Sequence, residues 1–342
     1  MNARGILSAR ASDTFFPGPP CSCSMPDSGA SQPRVIMDGK LVPWERATIH
    51  VSTHGFLYGT AVFEGVRAYW DERTQSLSVF ELDAHSKRLE RNAKLMGFSK
   101  TPDWKTLREW QLYALSCNDF NSDVYLRPVI YYGEGGIGIY PKTQAQKTLI
   151  MAVPMGSYFG KPCLSVKVSS WQRINGSTIP PMAKVNGGYV NSYLAAKEAR
   201  DAGADDAIML NSRGYVSEGS GANLFVVKNG ELLTPGYSSD ILDGVTRAHV
   251  MRLAHDLGIT VHARTIARGE LYTADELFFC GTGVEISPIG KVDHVQFGDG
   301  EPGPITLRLK ERFQQSVRGK LPEYAHLLTP VPQECPLPLT PL

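Results

Sequence analysis

A lysine stands between two short apolar residues, just before a glycine-rich bend, in Pro181-Met-Ala-Lys-Val-Asn-Gly-Gly-Tyr-Val-Asn-Ser (residues 181–192). The bend leads the chain into a stretch of helical composition from Tyr189. The neighbours of Lys184 can partly desolvate its amine, which lowers an amine's pKa, and an unprotonated amine attacks aldehydes. Taken alone, the stretch also fits a solvated surface lysine, since the chain holds 35 Lys plus Arg.

Composition narrows the class. The 342 residues are 42% hydrophobic and 20% charged, as in ordinary globular proteins. A formal net charge of +1 lacks the basic field that nucleic acids or membrane surfaces call for. No apolar run approaches the length of a membrane span. Cys21, Cys23, Cys117, Cys163, Cys280 and Cys335 are too scattered for a zinc site and too sparse for a disulfide scaffold, so the expectation is a reduced, cytoplasmic protein without a structural metal.

Residues 1–33, rich in Ser, Ala, Pro and Gly, read as a disordered leader. Two short apolar runs around Asp38-Gly39 predict a hairpin. In residues 54–69 the second half predicts a strand, with Phe63, Gly65 and Arg67 on one face by period-two alternation. An arginine on a plain core face is costly, so that face is expected to line a polar-tipped pocket. Asp83 is expected to cap a helix stopped at Gly97 and carrying Arg88. A second helix runs from Thr101-Pro-Asp to about Cys117. Residues 124–132 predict a strand with Tyr125 and Arg127 on one face. Gly133 to Tyr140 is a glycine loop without the Gly-Lys-Ser/Thr of a phosphate-binding loop.

Residues 154–160 read as a connector between a domain of residues 34–153 and one of residues 161–330. In the second, Gly203 closes a helix, residues 207–210 and 215–227 predict strands, and Asn229-Gly230 predicts another hairpin. Gly244, Val245 and Thr246 open a helix ending at Gly258. Its free N–H groups and dipole suit a phosphate, although every helix start has such groups. Gly281-Thr-Gly is a turn after a strand, Pro304 starts a last helix, and the tail, proline-rich from Thr329, reads as disordered, with residues 331–342 set outside the second domain.

An activatable lysine, Glu218 in a Ser-Glu-Gly turn, a helix start fit for phosphate, a Gly-Thr-Gly turn and pocket arginines together suit pyridoxal phosphate. That cofactor needs an amine for its aldehyde, an acid for its ring nitrogen and donors for its phosphate.

The segments HGFLYGTAVFEGVRAY (54–69), VYLRPVIYYGEGGIG (124–138), PMAKVNGGYVNSYLAAKEA (181–199), GYVSEGSGANLFVVKNGELLTP (214–235), ILDGVTR (241–247) and LYTADELFFCGTGVEISPI (271–289) carry a resemblance. Over about residues 34–330 the chain resembles branched-chain amino-acid aminotransferases of pyridoxal-phosphate fold type IV. The resemblance implies an α+β, two-domain enzyme: a smaller N-terminal α/β domain, a larger C-terminal domain with a β-barrel-like core, and the cofactor between them. Lys184 would hold the cofactor as an internal aldimine and shuttle the substrate Cα proton. Glu218 would pair with the ring nitrogen and Tyr189 with the ring's phenolic oxygen. Arg88, the backbone at Val245 and Thr246, and Thr282 would hold the phosphate. Tyr58, Phe63, Gly65, Arg67, Tyr125, Arg127, Tyr158, Thr282 and Gly283 would form the substrate pocket. Of these, Tyr125 and the Thr282–Gly283 amides would take the α-carboxylate, and Arg127 the second carboxylate of glutamate.

The implied reaction is ping-pong transfer of an amino group from leucine, isoleucine or valine to 2-oxoglutarate. A homodimer or larger assembly is implied as well, with the loop at Gly138 and Ile139 reaching the partner's pocket. Met155 departs from the family, where some members carry tryptophan. The run Tyr58, Phe63, Gly65, Arg67 with Tyr125 and Arg127 speaks against D-amino-acid aminotransferases, aminodeoxychorismate lyases and R-selective amine transaminases. Lys184, Tyr189 and Glu218 together speak against a protein that binds the cofactor without turnover.

Overall fold

A computed structural model describes residues 33–335. Most of the expected leader and residues 336–342 therefore lie outside the described residues.

The Asp38-Gly39 hairpin forms between β1 (Arg34–Met37) and β2 (Lys40–Pro43). A short helix that the sequence reading lacked, α1 (His54–Tyr58), precedes β3 (Ala61–Phe63), β4 (Val66–Asp71) and β5 (Ser76–Phe80). Helices α2 (Leu82–Leu95) and α3 (Trp104–Ser116) follow, then β6 (Val124–Tyr132) and β7 (Gln146–Pro154). Asp103 caps α3 by accepting from Thr106 N–H, whereas Asp83 does not cap α2: Glu81 holds that place, and Asp83 pairs with Arg108 from inside the first turn. With a late strand, β17 (Leu328–Pro330), at one edge, the strands order as β17-β5-β4-β6-β7-β1-β2, with β3 also on β6. On β6 the alternation is direct. Val124, Leu126 and Ile130 are buried, while Tyr125 and Arg127 stand on the opposite face. Ile36, Val66, Val79, Leu126 and Ile150 pack with Leu82 of α2 and Trp110 and Ala114 of α3, so both helices cover one face and leave the other for the site.

The second sheet holds β8 (Leu164–Val168), β9 (Asp206–Leu210), β10 (Val216–Gly219), β11 (Asn223–Lys228), β12 (Glu231–Pro235), β13 (Val261–Arg264), β14 (Glu276–Gly281), β15 (Glu285–Val292) and the short β16 (Val295–Gln296). Its central strands β11 and β14 are buried on both faces. Phe225 and Phe278 stack and meet Phe313, while Leu224 and Phe279 face the other way into a second cluster. Each such burial contributes about 1.5–3 kcal/mol. Helices α4 (Tyr189–Asp201), α5 (Val245–Asp256), α6 (Arg268–Leu271) and α7 (Pro304–Val317) complete this part. Helices α2, α4 and α5 each stop two residues before the glycine expected to end them, Gly97, Gly203 and Gly258.

Two features correct the sequence reading of the tail. Strand β17 (Leu328–Pro330) adds to β5, and Val331 is buried beyond it. Cys335 is then disulfide-bonded to Cys117 at the end of α3, so residues 331–335 are an ordered strap and the reduced-cysteine expectation does not hold for this pair. Among the described residues no helix is long and apolar enough to cross a membrane.

Candidate active site

The lysine stretch runs as an extended segment against β3. Phe63 N–H donates to Lys184 O at 3.0 Å, and Val185 bridges Val62. Ala183 and Val185 are buried and fix the segment, so Lys184 projects between the two sheets. Its Nζ donates to Tyr189 Oη at 2.8 Å and lies 5.0 Å from the centre of the Phe63 ring.

Around it opens a cavity of about 350 Å³. Its lining takes in Lys184, Arg88, Tyr189, Glu218, Val245, Thr246, Thr282, Phe63, Gly65, Tyr125, Arg127, Tyr158 and Gly283. Residues far apart in sequence thus converge on one space. Tyr58 and Arg67 do not line it. Tyr58 Oη accepts from Gly138 N–H at 3.3 Å, on the side of the glycine loop. Arg67 is buried on the face expected for it, but its guanidinium is covered. Nη2 donates to Met155 O and Gly156 O at 2.9 and 2.7 Å, and Nη1 to Gly283 O at 3.2 Å. The cost of burying this arginine is offset by backbone carbonyls and by Glu285, whose Oε1 lies 3.6 Å from Nη1, rather than by an open pocket, and Arg67 ties the connector to the Gly-Thr-Gly turn.

Glu218, on β10, is buried and closely held. Asn223 Nδ2 donates to it at 2.8 Å, Leu242 N–H at 3.1 Å, and Arg173 Nη2 sits 2.9 Å away. Burial pushes this carboxyl above its ordinary value, against Arg173, Leu242 N–H and Lys184, which pull it down. A further cation at that place would add to the pull. Sequence reading missed Arg173 and Asn223. Asn223 lies in a motif segment already quoted, whereas nothing in the Trp-Gln-Arg-Ile context of Arg173 marks it.

At the opposite end, Gly244 precedes Val245, the first residue of α5, and provides no side-chain cap, leaving the N–H groups of Val245 and Thr246 for a ligand in the cavity. A Cβ at Gly244 would lie 1.9 Å from Asn223 Oδ1, and one at Gly65 2.0 Å from Tyr125 Oη, so both glycines are set by close approach. Arg88 reaches the same end from α2. At the third corner, Arg127 Nη2 donates to Tyr125 Oη at 3.0 Å and stacks 4.4 Å from the Phe63 ring. Among the described residues the buried Arg127 Nε has no hydrogen-bond partner, a donor left for an anion. An amine, a buried carboxylate and an uncapped helix start beside Arg88 match what a phosphorylated pyridine aldehyde requires.

Comparison with known proteins agrees. Residues 61–292 match the family Amino-transferase class IV. The chain belongs to the class IV amino-transferases. A probable branched-chain-amino-acid aminotransferase of Aquifex aeolicus (strain VF5) is 42% identical to this amino-transferase over 300 residues, 86% of this chain and 96% of its own length. A branched-chain aminotransferase from Thermoproteus uzoniensis, solved with norvaline, superposes with a TM-score of 0.84 at 41% identity, covering 88% of this chain and 99% of that one. The branched-chain amino acid aminotransferase of Thermobaculum terrenum, solved in its PLP-form, gives 0.84 at 36%, covering 88% and 99%. The fold of this amino-transferase is type IV, mixed helix and sheet, as in those structures.

Proposed function

We propose that this amino-transferase uses pyridoxal phosphate to move an amino group between branched-chain L-amino acids and 2-oxoglutarate, in a ping-pong cycle. The observation that carries the reading is the convergence of Lys184, Glu218, the α5 start and Arg127 on one cavity. The names of its relatives, one of them solved with norvaline and another in its PLP-form, support the substrate class and the cofactor.

When bound, pyridoxal phosphate supplies an aldehyde for amines and a pyridine ring that draws electrons from the substrate Cα. Among the described residues Lys184 is the only lysine of the cavity lining, and its Nζ takes and returns the proton at the substrate Cα. Glu218 faces the ring nitrogen as a carboxylate and holds the proton there. Tyr189 Oη, already in contact with Lys184 Nζ, faces the phenolic oxygen. The N–H groups of Val245 and Thr246, with Arg88 and Thr282, bind the phosphate. Tyr125 and the Thr282–Gly283 turn take the α-carboxylate. Phe63 and Tyr158 give apolar surface to a branched side chain, and Arg127 receives the distal carboxylate of glutamate.

The same reading takes residues 34–153 and 161–330 as two domains joined at 154–160, and the assembly as a homodimer or larger. Ile137, Ile139 and Tyr140, beside Gly138 and Tyr58, are 89%, 79% and 77% exposed, an apolar set suited to cover by a second subunit. A cytoplasmic location belongs to it too. The redox state of Cys117 and Cys335 in cells is a direct check, since reducing compartments keep such thiols free.

The test is the visible absorption of the purified protein. A cofactor band that bleaches with L-leucine and returns with 2-oxoglutarate supports the reading. A band that answers only a D-amino acid or an amine moves the activity to a neighbouring class, and no band after adding pyridoxal phosphate rejects it.

A further inference from the structure

The phosphate end of the cavity rests on a carboxylate that points away from it. Phe63 and Gly65 face the cavity, so alternation turns Glu64 between them toward α2, where it is fully buried at 0% exposure. Its Oε1 accepts from Arg88 Nε at 2.5 Å and its Oε2 from Arg88 Nη2 at 2.9 Å, a bidentate pair. Oε2 also accepts from Gly65 N–H at 3.2 Å and lies 2.9 Å from His85 Nδ1. Burial alone would raise the Glu64 carboxyl, but Arg88 and His85 outweigh it and hold it well below the usual carboxylate range. Burial keeps His85 below its ordinary value, so the ring is neutral near pH 7 and serves as a hydrogen-bond donor to the carboxylate.

Arg88 has one more bond, from Nη1 to Asp243 O at 2.5 Å, in the loop that enters α5. One N–H on each Nη atom is not engaged by these bonds, and the residue lines the cavity beside Gly244, Val245 and Thr246. Because the carboxylate neutralises the guanidinium, Arg88 brings little net field to the cavity. What remains is direction.

We propose that Glu64 is the positioning residue of the phosphate end: it locks Arg88 so that the free N–H bonds of the guanidinium meet a phosphate monoester next to the α5 start. The same carboxylate ties the strand carrying the substrate wall to the helix carrying the phosphate donor, so the two sides of the cavity keep a fixed separation. This rests on the pyridoxal phosphate reading above.

The test compares pyridoxal phosphate with pyridoxal, which lacks the phosphate, by spectral titration of apoprotein prepared from the holoenzyme. Glu64→Gln keeps the size of the side chain but sets a donor against a donor. Its affinity for pyridoxal phosphate is expected to fall roughly tenfold or more, while its affinity for pyridoxal stays within about twofold, so the ratio between the two ligands collapses. Glu64→Asp keeps the charge and is expected to restore part of that ratio; should the glutamine variant not fold, the aspartate variant carries the test through its own intermediate loss. A general loosening would weaken both ligands alike, and an unchanged ratio in a folded variant overturns the inference. Wild-type apoprotein that binds neither ligand rejects the cofactor reading itself, a result distinct from normal wild-type binding with an unaffected variant.

Discussion

The two walls of the cavity are built to different standards. The wall from the second sheet is finished before anything binds. Glu218 accepts from Asn223, Leu242 N–H and Arg173, and Tyr189, at the start of α4, accepts from Lys184 Nζ, which reaches it from the segment beside β3. The wall from the first sheet is looser at its substrate end. Arg127 donates one bond, to Tyr125 Oη, and among the described residues its buried Nε has no hydrogen-bond partner, while Tyr158, on the adjoining connector, is 55% exposed. A group kept through every turnover benefits from geometry fixed in advance. A pocket that must take an aliphatic side chain in one half-reaction and a carboxylate in the other needs apolar faces with a cation at hand. The exception on the first wall is Arg88, held by Glu64 through two hydrogen bonds, and the proposed reading has it serve the fixed ligand rather than the changing one.

The comparison predicts where damage is severe. Lys184→Ala should bring transamination to background, beyond the roughly 10⁴-fold that a positioned proton-transfer group contributes. Steady-state assays of the purified variant check this, and appreciable turnover would put the reactive amine elsewhere. Glu218→Ala comes next. It removes the carboxylate proposed to face the ring nitrogen and leaves Arg173 buried without its partner, at a cost of about 3–5 kcal/mol in stability. Both turnover and thermal unfolding should drop. Unchanged turnover in a folded Glu218→Ala protein would remove that carboxylate from the finished wall.

On the looser wall the effect should divide by substrate. Arg127→Ala should lower kcat/KM for glutamate by roughly tenfold or more and for leucine by less than about threefold, because only glutamate presents a second carboxylate. Equal losses would mean that Arg127 merely supports Phe63 and Tyr125, and the contrast between the walls would fail at its substrate end.

What could be read from sequence follows the same division. Lys184, Glu218 and the α5 start sit in contiguous motifs whose glycines and apolar flanks show their local geometry. The stops at Gly97, Gly203 and Gly258 are local signals too. Arg173, Glu64 and the cover over Arg67 were not legible, because each depends on partners brought from far along the chain. Arg67 stands on the face that alternation predicts, opposite Tyr125 of β6. Its guanidinium is nevertheless closed off by Met155 O and Gly156 O, backbone atoms of a connector whose path no residue type announces. The tail misled for a related reason. Proline-rich composition argues for disorder, yet Pro330 sits on an edge strand, where its missing N–H costs no ladder bond.

That strap gives the smallest expected effect on catalysis and the sharpest check on whether the first sheet needs outside support. The chain leaves α7, passes Arg318, whose guanidinium holds Asp123 beside β6, and then adds β17 to the first sheet. The Cys117–Cys335 bond closes a loop spanning 218 positions, a cross-link that typically contributes about 2–4 kcal/mol through the unfolded state. None of its atoms lines the cavity. Cys335→Ser should therefore lower the Tm under non-reducing conditions and leave kcat and KM for leucine and glutamate unchanged. Reductant should lower the wild-type Tm to the same level and leave the variant where it is. If Cys335→Ser instead raised KM for glutamate, the strap would be shaping the Arg127 wall through β5, β4 and β6, and the looseness of that wall would be a property set from the far edge of the sheet.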